Sequence, residues 1–412
     1  MSRAPGVRIG GWIPSLPAGA WPVLGADALS AVGSGMTMPF LIVYLHQERG
    51  IPLATAGVAA AMLALAALAG NPLGGAAADR FGPRPTLATG LAMAAAGSAA
   101  IALVREPWHA FFATALTGFG LAVATPTMDA LLARLVPPQV RSTVFAVRHA
   151  TSNAGFAIGG TAAALIVSAR HDPSYALLYR LDAASFLLAI PLMFLWPVAV
   201  PPADPPEHAA AGGYRAVVSD RVFLRLWLLI AVLVTVGYAQ FTSALPAYTA
   251  QTGLGAGMLA IAFTVNMVTV TLAQLLVLRV LHRIRRRTAL LLLCLSWAVT
   301  WALVLASGRM SGWAAVAAVL LAALVFGLGE TLMSPTVPPL VNELAPDSLR
   351  GRYNGAATLA YTTGFAIGPV IAGALLEREL GTVLFVALIA ACGMAAVLAT
   401  RLPTGPPERR RL

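Results

Sequence analysis

The segments NAGFAIGGTAAA (153–164) and TTGFAIGPVIAG (362–373) both contain GFAIG, and the two copies begin at Gly155 and Gly364, 209 residues apart in a chain of 412. Sliding the chain on itself by 209 residues, without a gap, lays residues 118–159 on 327–368 with 13 identities in 42 positions. Gly118 and Gly120 fall on Gly327 and Gly329, and Pro126-Thr127 falls on Pro335-Thr336. Leu131, Leu135, Pro137 and Arg141 fall on Leu340, Leu344, Pro346 and Arg350. Chance likeness between alanine-rich helices does not produce matched Pro-Thr, Pro and Arg at one fixed offset. The chain reads as a doubled unit.

The solvent of that unit is lipid. The chain is 58% hydrophobic and 10% charged, with mean hydropathy +0.80, whereas soluble domains carry about 25% charged residues. Its apolar residues come in blocks of the length that spans a bilayer as helix. Twelve spans are expected. Six are at 21–45, 53–77, 86–104, 108–133, 143–168 and 175–198; six more are at 223–248, 257–281, 288–307, 312–337, 354–376 and 382–400. The proline-rich segment PVAVPPADPPEHAAAGGYR separates them as a solvated connection. The expected architecture is an all-α polytopic membrane protein built as two parallel six-helix pseudo-repeats, 1–198 and 223–412, joined by a cytoplasmic linker at 199–222. Halves related by an axis along the membrane normal are a transporter architecture, with the substrate bound between them.

The charges orient it. All 27 basic residues are arginine, and 21 of them fall in the loops on one side if both termini are cytoplasmic. That is the positive-inside pattern of a multi-pass protein of a bacterial inner membrane. It also argues against nucleic acid as the partner for the net charge of +11, because the arginines sit in short loops rather than on one face. The first apolar stretch is too long for a signal peptide and reads as the first span. Cys294 and Cys392 both lie in apolar runs and indicate neither a disulfide framework nor a metal site. With no lysine there is no phosphate-binding G-x-x-x-x-G-K-[ST] loop. No cofactor is expected, and the clustered acids of a lipid-modifying membrane enzyme are missing, so the chain does not read as an enzyme.

After the second span the chain reads GGAAADRFGPRPTL, in which Gly75, Asp79, Arg80, Gly82 and Arg84 match G-x-x-x-D-R-x-G-x-R. With twelve spans, two halves and a central linker, the whole chain resembles the major facilitator superfamily, and within it the drug:proton antiporters. The resemblance implies a gate in which Asp79 meets the start of the eleventh span, where Arg350 and Arg352 are available. It also allows Arg80 or Arg84 to pair with Asp129. Pro83 stands where the family has a further basic residue, and the equivalent loop HRIRRRT, from His282, lacks the aspartate. GFAIG resembles the fifth-span signature G-x-x-x-G-P of the exporters, but Gly160 replaces its proline, whereas the second copy keeps it as Gly368-Pro369. Gly155, Gly159, Gly364 and Gly368 are expected to pack helices closely, either within a half or in the moving interface. Thr114 stands where the exporters' fourth span has an arginine, so no proton relay through that arginine carries over.

Ionisable groups at membrane depth are costly and tend to face a cavity or a partner. Glu330 in the tenth span and Asp27 in the first are the two candidates for proton coupling, since the resemblance places both spans around the central cavity. Glu330 is the preferred one; its alternative is a hydrogen-bonded residue within the bundle. The alternative for Asp27 is a polar helix start at the headgroups. Arg180 and Asp182, two apart on the sixth span, do not face each other and are assigned to the outer rim. His149, beside Arg148, is assigned to the headgroups or the gate. Asn153, Tyr238, Gln240, Asn266 and Gln274 each contact substrate or bond across helices. The expected function is secondary transport by a monomer: proton-coupled export of a small amphipathic compound, with uptake of a small metabolite as the alternative.

Overall fold

In a computed structural model of the chain, residues 16–168, 175–194, 214–280, 285–346 and 349–402 are described. The proline-rich part of the linker and Arg3, Arg8, Arg170, Arg283 and Arg409 to Arg411 lie outside them. Twelve long helices account for the fold. In the first half they are α1 (Ala20–Glu48), α2 (Leu53–Phe81), α3 (Pro83–Ile101), α4 (Pro107–Leu135), α5 (Arg141–Ser168) and α6 (Ala176–Phe194). In the second they are α7 (Arg221–Thr242, continued by Ala244–Gln251), α8 (Ala256–Val280), α9 (Arg286–Ser307), α10 (Gly312–Leu344), α11 (Arg350–Glu377) and α12 (Gly381–Thr400). Eleven are long and apolar enough to cross a membrane; α3, at 19 residues, is richer in alanine, glycine and polar residues.

Local chemistry sets the helix ends. Pro83 and Pro107 open α3 and α4, where a missing N–H costs nothing and the fixed φ suits the first turn. Asp220 caps α7, its Oδ1 accepting from the backbone N–H groups of Val222 and Phe223 at 2.9 and 3.1 Å. Between α2 and α3 the chain turns sharply at Gly82, whose φ of +87° is a conformation that favours glycine. Three helices are interrupted. α1 tightens into a 3₁₀ turn at Met38–Phe40 around Pro39 and widens into a π turn over Tyr44–Glu48. α7 breaks at Gly237 and Ser243, and α10 breaks between Met333 and Val337, at Pro335.

The doubling shows in the packing. α1 packs on α5 and α6, α4 on α2 and α3, and α3 on α6; in the second half α7 packs on α11 and α12, α10 on α8 and α9, and α9 on α12. Each pairing in the first half thus has its partner six helices later. GFAIG lies in the α1–α5 contact and in its equivalent. A Cβ at Gly155 or Gly159 would run into the α1 backbone at Ala28 and Val32, and one at Gly364 or Gly368 into Val234 and Ala239 of α7. These four glycines therefore bind helices within a half. The residue after each copy faces the other half instead: Gly160 lies beside Ala260 and Thr264 of α8, and Pro369 against Gly57 of α2.

Two described hydrogen bonds join the halves. Ala54 N–H donates to Glu377 Oε2 (2.7 Å), and the Thr161 and Thr264 hydroxyls lie 3.2 Å apart. Both lie toward the side opposite the α2–α3 loop and the linker. We call these the far face and the linker face.

This packing fixes two outcomes. Gly159→Leu, which drives a side chain into the α1 backbone, lowers stability by about 1–3 kcal/mol, the usual cost of overpacking. Gly160→Ala, whose Cβ meets nothing nearer than the Thr264 hydroxyl at 3.6 Å, leaves stability within about 0.5 kcal/mol. Thermal unfolding of the detergent-purified variants reads both, and equal melting temperatures would refute the assignment of Gly159 to a rigid half.

Candidate functional site

Between the halves lies a cavity of about 660 Å³. Its charged lining comes from one half: Asp27 on α1, Arg148 on α5 and Asp182 on α6. The second half contributes Thr242, Ser243, Phe365 and Pro369. Most of the remaining wall is alanine, leucine and other apolar side chains.

Arg148 organises the part nearer the linker face. Its Nη2 and Nε lie 3.1 and 3.2 Å from Asp27 Oδ1, and its Nη1 bonds Asp129 Oδ1 on α4. Ser152, one helical turn on from Arg148, donates to Asp27 Oδ2. The Arg148 and Asp27 side chains are 16% and 13% exposed, that of Asp129 46%. A buried guanidinium left without an acid would be strongly destabilising; here two acids face one cation. With both ionised the cluster carries one net negative charge, and a single proton or a single bound cation neutralises it.

Asp182 lies toward the far face and is 3% exposed, which corrects its assignment to the outer rim. α6 turns it inward, away from the exposed Arg180. Its Oδ2 accepts from Ser98 of α3 (2.7 Å) and Thr37 of α1 (3.3 Å), while Oδ1 is buried without a partner. Tyr179 and Tyr44 close the route beyond it. Their rings are 4.9 Å apart, and Arg49 Nε donates to the Tyr44 hydroxyl at 2.7 Å.

The other expected residues are distributed differently. Glu330 accepts from Asn266 Nδ2 at 3.3 Å, an α8–α10 bond, and neither lines the cavity. Gln240 is fully buried and donates to the Gly368 carbonyl (3.0 Å), so it ties α7 to α11. Tyr238 sits edge-on to Trp297 and Phe326 in an aromatic cluster. Asn153 lies 3.3 Å from Nε2 of the exposed His149 and is not part of the cavity wall; Gln274, near the linker-face end of α8, does not line it either. Asp129 pairs with Arg148 rather than with Arg80 or Arg84. Arg80 instead lies over the Phe81 ring.

At the linker face Asp79 is 4.0 Å from Arg134 of α4, with its side chain 79% exposed. Gly75, in the same motif, has open space around it. Arg350 and Arg352 open α11. At the far face Glu377, the last residue of α11, has its carboxylate on Ala54 N–H in the first turn of α2. A helix start offers unpaired N–H groups and a positive dipole end to such an acid.

Arg148 and Asp182 were the functional candidates passed over in the sequence. A charge six residues inside an expected span was the signal for Arg148. For Asp182 the neighbouring Arg180 concealed it.

The chain is 26% identical over 369 residues to a Na(+), Li(+), K(+)/H(+) antiporter of Planococcus maritimus, covering 81% of this chain and 84% of that one. It is 32% identical over 141 residues to multidrug resistance protein MdtH of Klebsiella pneumoniae, covering 34% and 35%. Among solved structures, the nucleoside transporter NupG (D323A mutant) superposes with a TM-score of 0.76 at 14% identity, over 93% of this chain and 99% of that one. That likeness shows the fold. The family model of the Major Facilitator Superfamily matches residues 23–263 and 242–412. With twelve helices in two equivalent halves around a cavity, the chain belongs to the major facilitator superfamily.

Proposed function

We propose that the protein is a proton-coupled exporter of small amphipathic compounds, cationic ones above all, working as a monomer in a bacterial cytoplasmic membrane with the linker face in the cytoplasm. The observation that carries this reading is the Arg148 cluster on the cavity wall. Its residual negative charge accepts one proton or one cationic substrate. Two ligands that compete for one charge in a poorly solvated site exchange rather than bind together, which is what antiport requires. The largely apolar wall suits the rest of an amphipathic molecule. The antiporter and the multidrug resistance protein among the relatives agree with exchange and with export.

The gates follow from Glu377 on the start of α2 and from Asp79, which would face the start of α11 when the linker face closes. The far face is held by Glu377 on the start of α2. When the halves rock, that bond opens and Asp79 meets the start of α11. Asp27 is the coupling residue of first choice, because it lines the cavity and Glu330 does not.

The test is efflux of ethidium, a lipophilic cation, from proteoliposomes driven by an imposed pH gradient. Asp27→Asn lowers it by roughly tenfold or more, equivalent to about 1.4 kcal/mol in the barrier, while Glu330→Gln retains most of it. Unchanged flux in Asp27→Asn sinks the coupling assignment, and a panel of neutral and cationic amphiphiles that all fail to move sinks export. A second measurement concerns the far-face gate. Glu377→Gln removes an interaction of about 0.3–1 kcal/mol. In a C294S/C392S background carrying Ser243→Cys, alkylation from the outside by an impermeant reagent then rises about two- to fivefold. An unaltered rate would take Glu377 out of the gate.

A further inference from the structure

Asp182 has a place in the cavity that the Arg148 cluster does not explain. Thr37, its partner on α1, is ten residues along the helix from Asp27, or about 15 Å at 1.5 Å per residue. The two acids therefore stand at opposite ends of one wall.

The charged and titratable groups around Asp182 leave it without a counterion. On α6 these are Tyr179, buried, and Arg180, which points outward. On α1 they are Asp27 at the other end of the wall, Tyr44, and toward the rim His46, whose Nδ1 lies 3.0 Å from the Ile51 carbonyl, and Glu48; Arg49, which follows α1, is engaged by Tyr44 and the Ala102 carbonyl, and Tyr175 N–H donates to Glu48. α3 offers only Arg84, at the linker face. Arg148 is held by Asp27 and Asp129. A carboxylate this deep, stabilised by two hydroxyls alone, is expensive. It becomes inexpensive when it holds a proton.

The surrounding hydroxyls are arranged for both states. A serine or threonine hydroxyl donates one hydrogen, and each of these two has a second acceptor in reach. Ser98 Oγ is 2.7 Å from Asp182 Oδ2 but also 3.1 Å from the Tyr179 carbonyl. Thr37 Oγ1 is 3.3 Å from Asp182 Oδ2 and 3.3 Å from the Ser34 carbonyl. With the acid ionised, both hydroxyls turn to it. With the acid protonated, Asp182 donates to Ser98 Oγ while Ser98 and Thr37 turn to the backbone carbonyls. One proton enters or leaves and every hydrogen still has an acceptor.

We propose that Asp182 is a second proton-carrying site, at the far-face end of the cavity and separate from the Asp27–Arg148–Asp129 cluster. Tyr179, Tyr44 and Arg49 separate it from the far face, so in this conformation it exchanges its proton with the cavity. Opening of the far face would re-expose it there. The proposal builds on proton-coupled exchange, but its test needs no transport.

The experiment is infrared difference spectroscopy of the purified, lipid-reconstituted protein, titrated from acid to alkaline pH. The wild type shows a protonated-carboxyl C=O band that disappears on the alkaline side. Asp182→Asn, which keeps the shape and an acceptor for the hydroxyls, lacks that band, whereas Asp27→Asn and Glu330→Gln retain it. Ser98→Ala, which removes one hydrogen-bond partner and leaves the acid in place, keeps the band at a shifted frequency. Sodium added at neutral pH leaves it unaltered. A band set in Asp182→Asn identical to wild type, no frequency change in Ser98→Ala, or displacement of the band by sodium would each overturn the proposal. Loss of ethidium efflux with these spectra intact would instead count against export alone.

Discussion

A guanidinium buried in a membrane protein has to be neutralised, and much of the first half is arranged around that requirement. Arg148 reaches Asp27 on α1 and Asp129 on α4 from its own place on α5. It thereby ties α4 electrostatically to α1 and α5, the pair that GFAIG packs together. Because two acids answer one base, the cluster is a structural tie that still has capacity for one more positive charge. Removing the arginine and removing an acid are therefore different perturbations: the first leaves two carboxylates in repulsion, and the second leaves a neutral pair.

The glycines mark where helices pack closest. At Gly155, Gly159, Gly364 and Gly368 there is no room even for a Cβ, so α1 and α5, like α7 and α11, are tightly packed pairs within a half. The contacts between halves are close as well: Gly57 has no room for a Cβ against the Pro369 carbonyl, nor Gly373 against Leu53, and the described polar bonds there are a pair of threonine hydroxyls and one carboxylate on a helix start, toward the far face. Opening the far face would have to part that close packing together with those few polar bonds.

Much of this was legible in the sequence, and the rest was hidden for definite reasons. The 209-residue offset, the apolar blocks and the arginine-rich loops lead directly to twelve helices in two equivalent halves. Helix ends differ from the apolar blocks by a few residues because Pro83, Pro107 and Asp220 set them, and those are capping effects rather than hydropathy. The interior of the site was less accessible. Glu330 stands out in the sequence because its neighbours are apolar, yet isolation along the chain does not say which way a helix faces. It points to Asn266. Arg180 and Asp182 diverge on the sixth span as expected, but divergence does not put both at the rim: only Arg180 faces outward, and Asp182 is buried. Asp129 was assigned to loop arginines, when its partner lay 19 residues on, across the α4–α5 turn.

The doubled ancestry also shows where function departed from symmetry. Under the 209-residue offset Arg148 falls on Ala357, Asp129 on Pro338, and Glu330 on Leu121. The second half has no counterpart of the charged cluster. Where the first half carries Asp27, Arg148 and Asp182, the second carries an aromatic cluster in which Phe326 stacks on Trp297 and on Phe241. Asp79 and Glu377 still stand near the ends of α2 and α11, Glu377 on the first turn of α2 and Asp79 beside Arg134 of α4. With its charge confined to one half, the cavity sets a single charged wall against an opposite wall of Thr242, Ser243, Phe365 and Pro369. On the proposed reading, that division lets one side select a proton or a cation while the other accommodates varied shapes.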